Sequence, residues 1–295
     1  MLDTFNNIYF DLDEDLFLND SESDDPRPVI NVILCIKPPY ESYLDLIKSS
    51  TRYIRILGRK PSNYKNFDFL SLTYINTLFS LRNSEVSIDL CHILLRILSY
   101  LPFLKIVLQN PESLYSSLYQ CLQNTTDQDL SVTSAAAFQS FAFHQIGKRY
   151  ICGKNTHIKA ISMIMERSIT SPLSVRLIGF LHNMSSEAEV VISIRESGAI
   201  KEILKALKVK PISSLTVDAA GLVQNLARES ESRKILLESN ALDSLLELIV
   251  LSDMQAQVRA VGAIMNLLGP SCDDVNALKQ ALARMIALSA LGRAL

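Results

Sequence analysis

Three asparagines, Asn183, Asn225 and Asn266, stand 42 and 41 residues apart. A side-chain amide carries a carbonyl acceptor and an NH₂ donor. A row of amides can therefore hydrogen-bond the main chain of an extended peptide with little regard to its side chains. Other chemistry has thinner support. The four histidines, His92, His144, His157 and His182, are at least 13 residues apart, and none has a carboxylate pattern suited to a metal. Cys35, Cys91, Cys121, Cys152 and Cys272 form no CxxC pair, which fits neither a zinc site nor a disulfide framework. No Gly-rich phosphate loop, HExxH or GxSxG occurs. The expected chemistry is recognition, with no catalytic residues, cofactor or metal.

The elements that position these amides repeat. Residues 175–184, 217–226 and 258–267 align without gaps: Val, Gly four residues later, Asn four beyond, then an apolar residue. A fainter copy at 132–141 has Ala136 for the Gly and Ser140 for the Asn. Upstream, Ser197-Gly198-Ala199-Ile200 matches Ser239-Asn240-Ala241-Leu242. Gly198 and Asn240 tolerate positive φ, which suits a sharp exit between helices. The stretch after each turn is apolar at i, i+3, i+4 and i+7: Ile200, Ile203, Leu204, Leu207, then Leu242, Leu245, Leu246, Ile249. Ile158, Ile161 and Met165 continue the stripe upstream, and Leu114, Leu118 and Leu122 repeat it more loosely. Cys152, Ile194 and Leu236 recur every 42 residues before the turns. The unit is a short helix, a turn, a second helix, a polar loop and a third helix.

This unit resembles the armadillo repeat, closely over 147–270 and more weakly over 67–146; the two-helix HEAT repeat is the near alternative. The resemblance implies an all-α, right-handed α-solenoid of three-helix repeats, with the third helices lining a concave groove. It also carries onto Asn183, Asn225 and Asn266 a role in holding an extended peptide. Importin-α-like receptors have Trp four residues before the Asn; this chain has no Trp and places Gly179, Gly221 and Gly262 there. Aromatic walls for a lysine stem are then missing, which argues against nuclear import. The glycines would let a bulkier ligand, such as a helix, approach.

At 100° per residue, the groove stripe reads Arg176, Gly179, Asn183; Asp218, Gly221, Asn225; Arg259, Gly262, Asn266; and Thr133, Ala136, Ser140. His144, four residues after Ser140, continues it. The partner-binding candidates are Asn183, Asn225, Asn266, Arg176, Arg259, Asp218, Ser140 and His144. Two uses of the amides stay open here: contact with a ligand, or bonds between repeats.

The chain has 295 residues, 48% apolar, with a formal net charge of −2. That sum hides −9 in residues 1–25 and +7 in the rest. A surplus of +7 is too small to argue for nucleic acid. The acidic segment interleaves Phe5, Tyr9, Phe10 and Phe17 with its carboxylates, a pattern of a tail that folds on a surface, its own body's or a basic partner's. Lys48, Arg52, Arg55, Arg59, Lys60 and Lys65 form a basic run that could meet an acidic partner or this tail.

Residues 1–28 are expected as a disordered acidic tail, 29–66 as an irregular N-terminal cap, 67–270 as repeats and 271–295 as a partial repeat or cap. The apolar run Leu90–Leu108 holds His92, Arg96, Lys105 and Pro102, so it reads as two buried helices and not a membrane span. The expectation is a cytoplasmic scaffold or adaptor that binds an extended or helical protein segment in its groove. A chaperone cofactor that speeds nucleotide release is the alternative reading, with a transport receptor behind it. Partner, pathway and oligomeric state stay open.

Overall fold

A computed structural model describes residues 25–69, 72–123, 126–154, 158, 161, 170–250 and 253–268. The acidic stretch 1–24 and the C-terminal cap expected at 271–295 lie outside them. The described residues form fifteen α-helices, two 3₁₀ segments (Tyr40–Tyr43 and Pro61–Phe69) and no strand. In chain order the helices are α1 (Arg27–Cys35), α2 (Leu44–Leu57), α3 (Leu72–Ser80), α4 (Ser84–Ile97) and α5 (Leu101–Val107). Next come α6 (Glu112–Leu122), α7 (Gln128–Phe141), α8 (Gln145–Cys152), α9 (Pro172–Met184) and α10 (Ala188–Glu196). The last are α11 (Ile200–Leu207), α12 (Ser214–Leu226), α13 (Ser230–Glu238), α14 (Ala241–Ile249) and α15 (Met254–Leu267).

The helix ends follow from local chemistry. Four third helices open on a side-chain cap: Asn83 accepts from Val86 N–H at 3.1 Å, Asp127 from Leu130 at 3.0 Å, Ser171 from Ser174 at 3.1 Å and Asp253 from Ala256 at 2.8 Å. Such a cap satisfies a donor the helix cannot, worth about 1 kcal/mol. The turns before α11 and α14 use positive φ at Gly198 (+80°) and Asn240 (+56°), as the sequence requires. Pro102 falls in the first turn of α5, where its missing N–H costs nothing. Leu90–Leu108 is thus two helices, and no helix among the described residues is long and apolar enough to cross a membrane.

Third helices stack side by side in the order α2, α4, α7, α9, α12, α15, each packed on the next. Second helices α6, α11 and α14 pack beneath α7, α12 and α15. The region expected as an irregular cap therefore supplies α2, which extends the stack at its N-terminal end. The shared core is aromatic toward that end and aliphatic beyond it. Tyr115 meets Phe138 edge to face at 5.3 Å, and Phe138 meets Phe180 of the next repeat at 5.9 Å. All three are completely buried. Such contacts across a repeat boundary hold a solenoid together, because no single repeat can bury its own apolar face.

Candidate functional site

The repeated polar position of the third helices joins each helix to the one before it. The Nδ2 of Asn183 on α9 donates to the Gln139 carbonyl on α7 at 3.2 Å, and that of Asn266 on α15 to the Gln224 carbonyl on α12 at 2.7 Å. Ser140 on α7, fully buried, donates its hydroxyl to the Leu95 carbonyl on α4. Arg96 on α4 does the same with Nη1 on the Arg55 carbonyl of α2, at 3.2 Å. Gln139, Gln224 and Leu95 each stand just before the rung of the preceding helix, and Arg55 stands just before Ile56, which carries no polar group. Arg96 lies 44 residues before Ser140, so the period alone could have found it.

Asn225 departs from the pattern. Its Nδ2 donates to the Ser185 hydroxyl at 2.9 Å, and that hydroxyl donates to the His182 carbonyl at 2.8 Å. The rung is the same, lengthened by one hydroxyl. The position two residues past the rung is Ala142 just after α7 and Ala227 just after α12, so a serine there was the available signal.

The three amides remain half-exposed. Among the described residues no donor reaches the Oδ1 of Asn183, Asn225 or Asn266, so each keeps its acceptor half available. Of the two uses left open by the sequence, the structure shows the bond between repeats, made by the nitrogen end of each amide.

The glycines are not open floor. A Cβ on Gly179 would overlap the Gln139 amide, on Gly221 the His182 imidazole, and on Gly262 the Gln224 amide. In each case the residue before one rung lies over the glycine of the next helix. The room for a bulky ligand expected from the sequence is filled by the protein itself, because adjacent third helices need a missing side chain to approach this closely. Gln139 and Gln224 were missed, although each, like His182, immediately precedes a rung.

The remaining candidates divide. Asp218 on α12 accepts from His182 Nδ1 at 3.0 Å. His144 donates from Nε2 to the Ser99 carbonyl at 2.6 Å, with its ring edge-on to Phe143 at 5.0 Å. Arg259 stands exposed on α15. None of these joins the three asparagines into one cluster; they are rungs and side rails along a stack.

Arg176 acts through its charge. With Arg55 and Arg59 at the end of α2 and Arg96 on α4, it is among the cations that act on His92, which occupies the glycine-equivalent position of α4. Burial first, then the charges of Arg55, Arg96, Arg59 and Arg176, pull the His92 pKa down to about 3. Asp89 enters the same region, 3.3 Å from Arg55. Arg96 ties this region together through its bond to the Arg55 carbonyl at 3.2 Å. On α7 the corresponding face carries Thr133, Ala136 and Ser140, all buried.

No family model and no curated protein matches the chain. Solved structures do. A designed armadillo repeat protein is similar over 82% of this chain and 100% of its own, at TM-score 0.69 and 14% identity. Another, in complex with the peptide (KR)4, covers 83% of this chain and 100% of its own at TM-score 0.65 and 14% identity. Computationally designed armadillo repeat proteins for modular peptide recognition match at 0.67 and 14%, over 82% of this chain and 99% of theirs. The fold is an armadillo-like repeat solenoid, all α.

Proposed function

We propose that this chain is a non-enzymatic scaffold or adaptor, which binds a segment of another protein along the face made by its third helices. The observation that carries the reading is the divided amide: Nδ2 of Asn183, Asn225 and Asn266 is used between helices, while Oδ1 is left to accept. A peptide N–H laid across the stack can donate to those acceptors at each repeat. Arg176, Asp218 and Arg259 then select side chains. Designed armadillo neighbours include one complexed with a peptide, which supports the mode of binding. The setting we propose is cytoplasmic, where exposed Cys35 stays a thiol.

The test exploits Ser140, which already serves as a rung. A triple Asn183→Ser, Asn225→Ser, Asn266→Ser variant keeps a donor at each position and withdraws the amide acceptor. Partners cross-linked to wild type in lysate should map to α9, α12 and α15. They should bind the triple variant at least ten-fold more weakly, at an unchanged melting temperature. Cross-links confined to α10 and α13, or unchanged affinity, would reject the reading.

A further inference from the structure

We propose that the cavity between α3 and α6 binds a small phosphorylated polyol, with the phosphate at Arg82 and the hydroxyls on the serines and amides behind it. The cavity measures about 490 Å³, within the range of small-molecule sites. Its walls are the second helices α3 and α6, which pack on each other, and the first turns of α4 and α7. It lies away from the ladder: Ser87 on its wall stands nine residues, roughly 13 Å of helix, before the Arg96 rung of α4. The inference therefore does not rest on the scaffold reading.

The polar groups of this cavity are unspent. Elsewhere helix serines turn the hydroxyl onto a carbonyl of their own helix, as Ser49, Ser131 and Ser193 do. Ser87 and Ser117 line the cavity and make no side-chain hydrogen bond among the described residues. Ser87 is only 4% exposed, so bulk water does not substitute for the missing partner. Asn76, also on the wall, keeps its Oδ1 buried with no partner. Polar groups left in this way cost stability unless something in the cavity bonds them.

The charge around the cavity selects an anion. Arg82 stands exposed at the mouth, in a left-handed turn (φ +50°) between α3 and α4. Glu85, the acid nearest to it in sequence, is held by Lys48 at 2.7 Å. Among the described residues no carboxylate lines the cavity. The first turn of α4 borders it through Ser84 and Ser87, so the positive end of that helix lies beside the guanidinium. A phosphomonoester has acceptor oxygens enough for Arg82 and Ser84 together. The cavity continues from there to Ser113 and Ser117 on α6, which leaves room for a body as well as its phosphate. Hydroxyls on that body both donate and accept, which is what Ser87, Ser117 and Asn76 require.

Calorimetric titration of the full chain with glucose 6-phosphate tests the site, with glucose, inorganic phosphate and a phosphoserine pentapeptide as comparison probes. Glucose 6-phosphate should bind at least ten-fold more tightly than any of the three and raise the melting temperature. Arg82→Gln, at an exposed position, should weaken that binding at least ten-fold and leave the unliganded melting temperature unchanged. Ser117→Leu fills the cavity from the α6 side and should abolish binding. A dissociation constant for glucose 6-phosphate above about 1 mM overturns the inference. Equal affinity for inorganic phosphate also overturns it, as an adventitious ion only. Tighter binding of the peptide would give the site to a phosphorylated partner instead, and binding retained in both variants would place the ligand elsewhere.

Discussion

Asn225 reaches back across the repeat boundary to Ser185, and Ser185 hands the hydrogen bond on to the carbonyl of His182. The link is a two-step version of the direct bond that Asn266 makes to Gln224. Ser185 is buried, so the loss of its hydroxyl leaves the His182 carbonyl and the Asn225 amide short of a partner.

Ser185→Ala should therefore lower unfolding free energy by about 1–2 kcal/mol. Because one chain of bonds is involved, Asn225→Ala should cost less in the Ser185→Ala background than in wild type. A urea double-mutant cycle should show coupling of about 1 kcal/mol. Additive costs would show that the two residues act separately.

The glycines separate by what stands in the way. At Gly147 an added Cβ meets the main-chain carbonyl of Phe141, which has nowhere to go. At Gly262 it meets the far end of Gln224, which can swing aside. Gly147→Ala should cost about 3 kcal/mol and Gly262→Ala about 1 kcal/mol. Melting curves of the two variants check the order.

His92 gives the fold an acid sensitivity. Its pKa is near 3 in the fold, through burial and the arginine charges, against about 6.5 in an unfolded chain. Between those values the unfolded chain holds a proton that the folded one refuses. Stability from this residue is thus complete above pH 6.5 and falls as pH drops toward 3, by about 1 kcal/mol per unit. His92→Gln should flatten the decline of melting temperature between pH 7 and pH 4.5. An unchanged slope would mean other groups dominate acid unfolding.

Thiol reactivity should follow burial. Cys35 is exposed, whereas Cys91 is fully buried and its thiol is pushed up by desolvation. Burial, with Glu187 and Glu189 nearby, pushes Cys152 up to about 11. Iodoacetamide at pH 8 should modify Cys35 before Cys152 and leave Cys91 intact until the chain unfolds, as read by peptide mass. Early labelling of Cys91 would show local opening of α4.

Periodicity alone determined the repeat unit, the turns at Gly198 and Asn240 and the third-helix stripe, because each depends on spacing along one helix. The split at Pro102 was legible for the same reason. The use made of each polar group was decided between helices. Whether an amide points a donor at a neighbour's carbonyl, and whether a glycine is open or covered by Gln139, His182 or Gln224, depends on how closely two stacked helices approach. Arg96 as a rung lacks the Asn and Gly signature and only its spacing of 44 residues from Ser140 pointed to it, whereas α2 as part of the stack was shown by packing alone. Arg55 and Arg96, 41 residues apart, are ordinary surface charges when read along the chain. Stacking α2 against α4 joins them, Nη1 of Arg96 on the Arg55 carbonyl, because a solenoid turns separation in sequence into adjacency across its face.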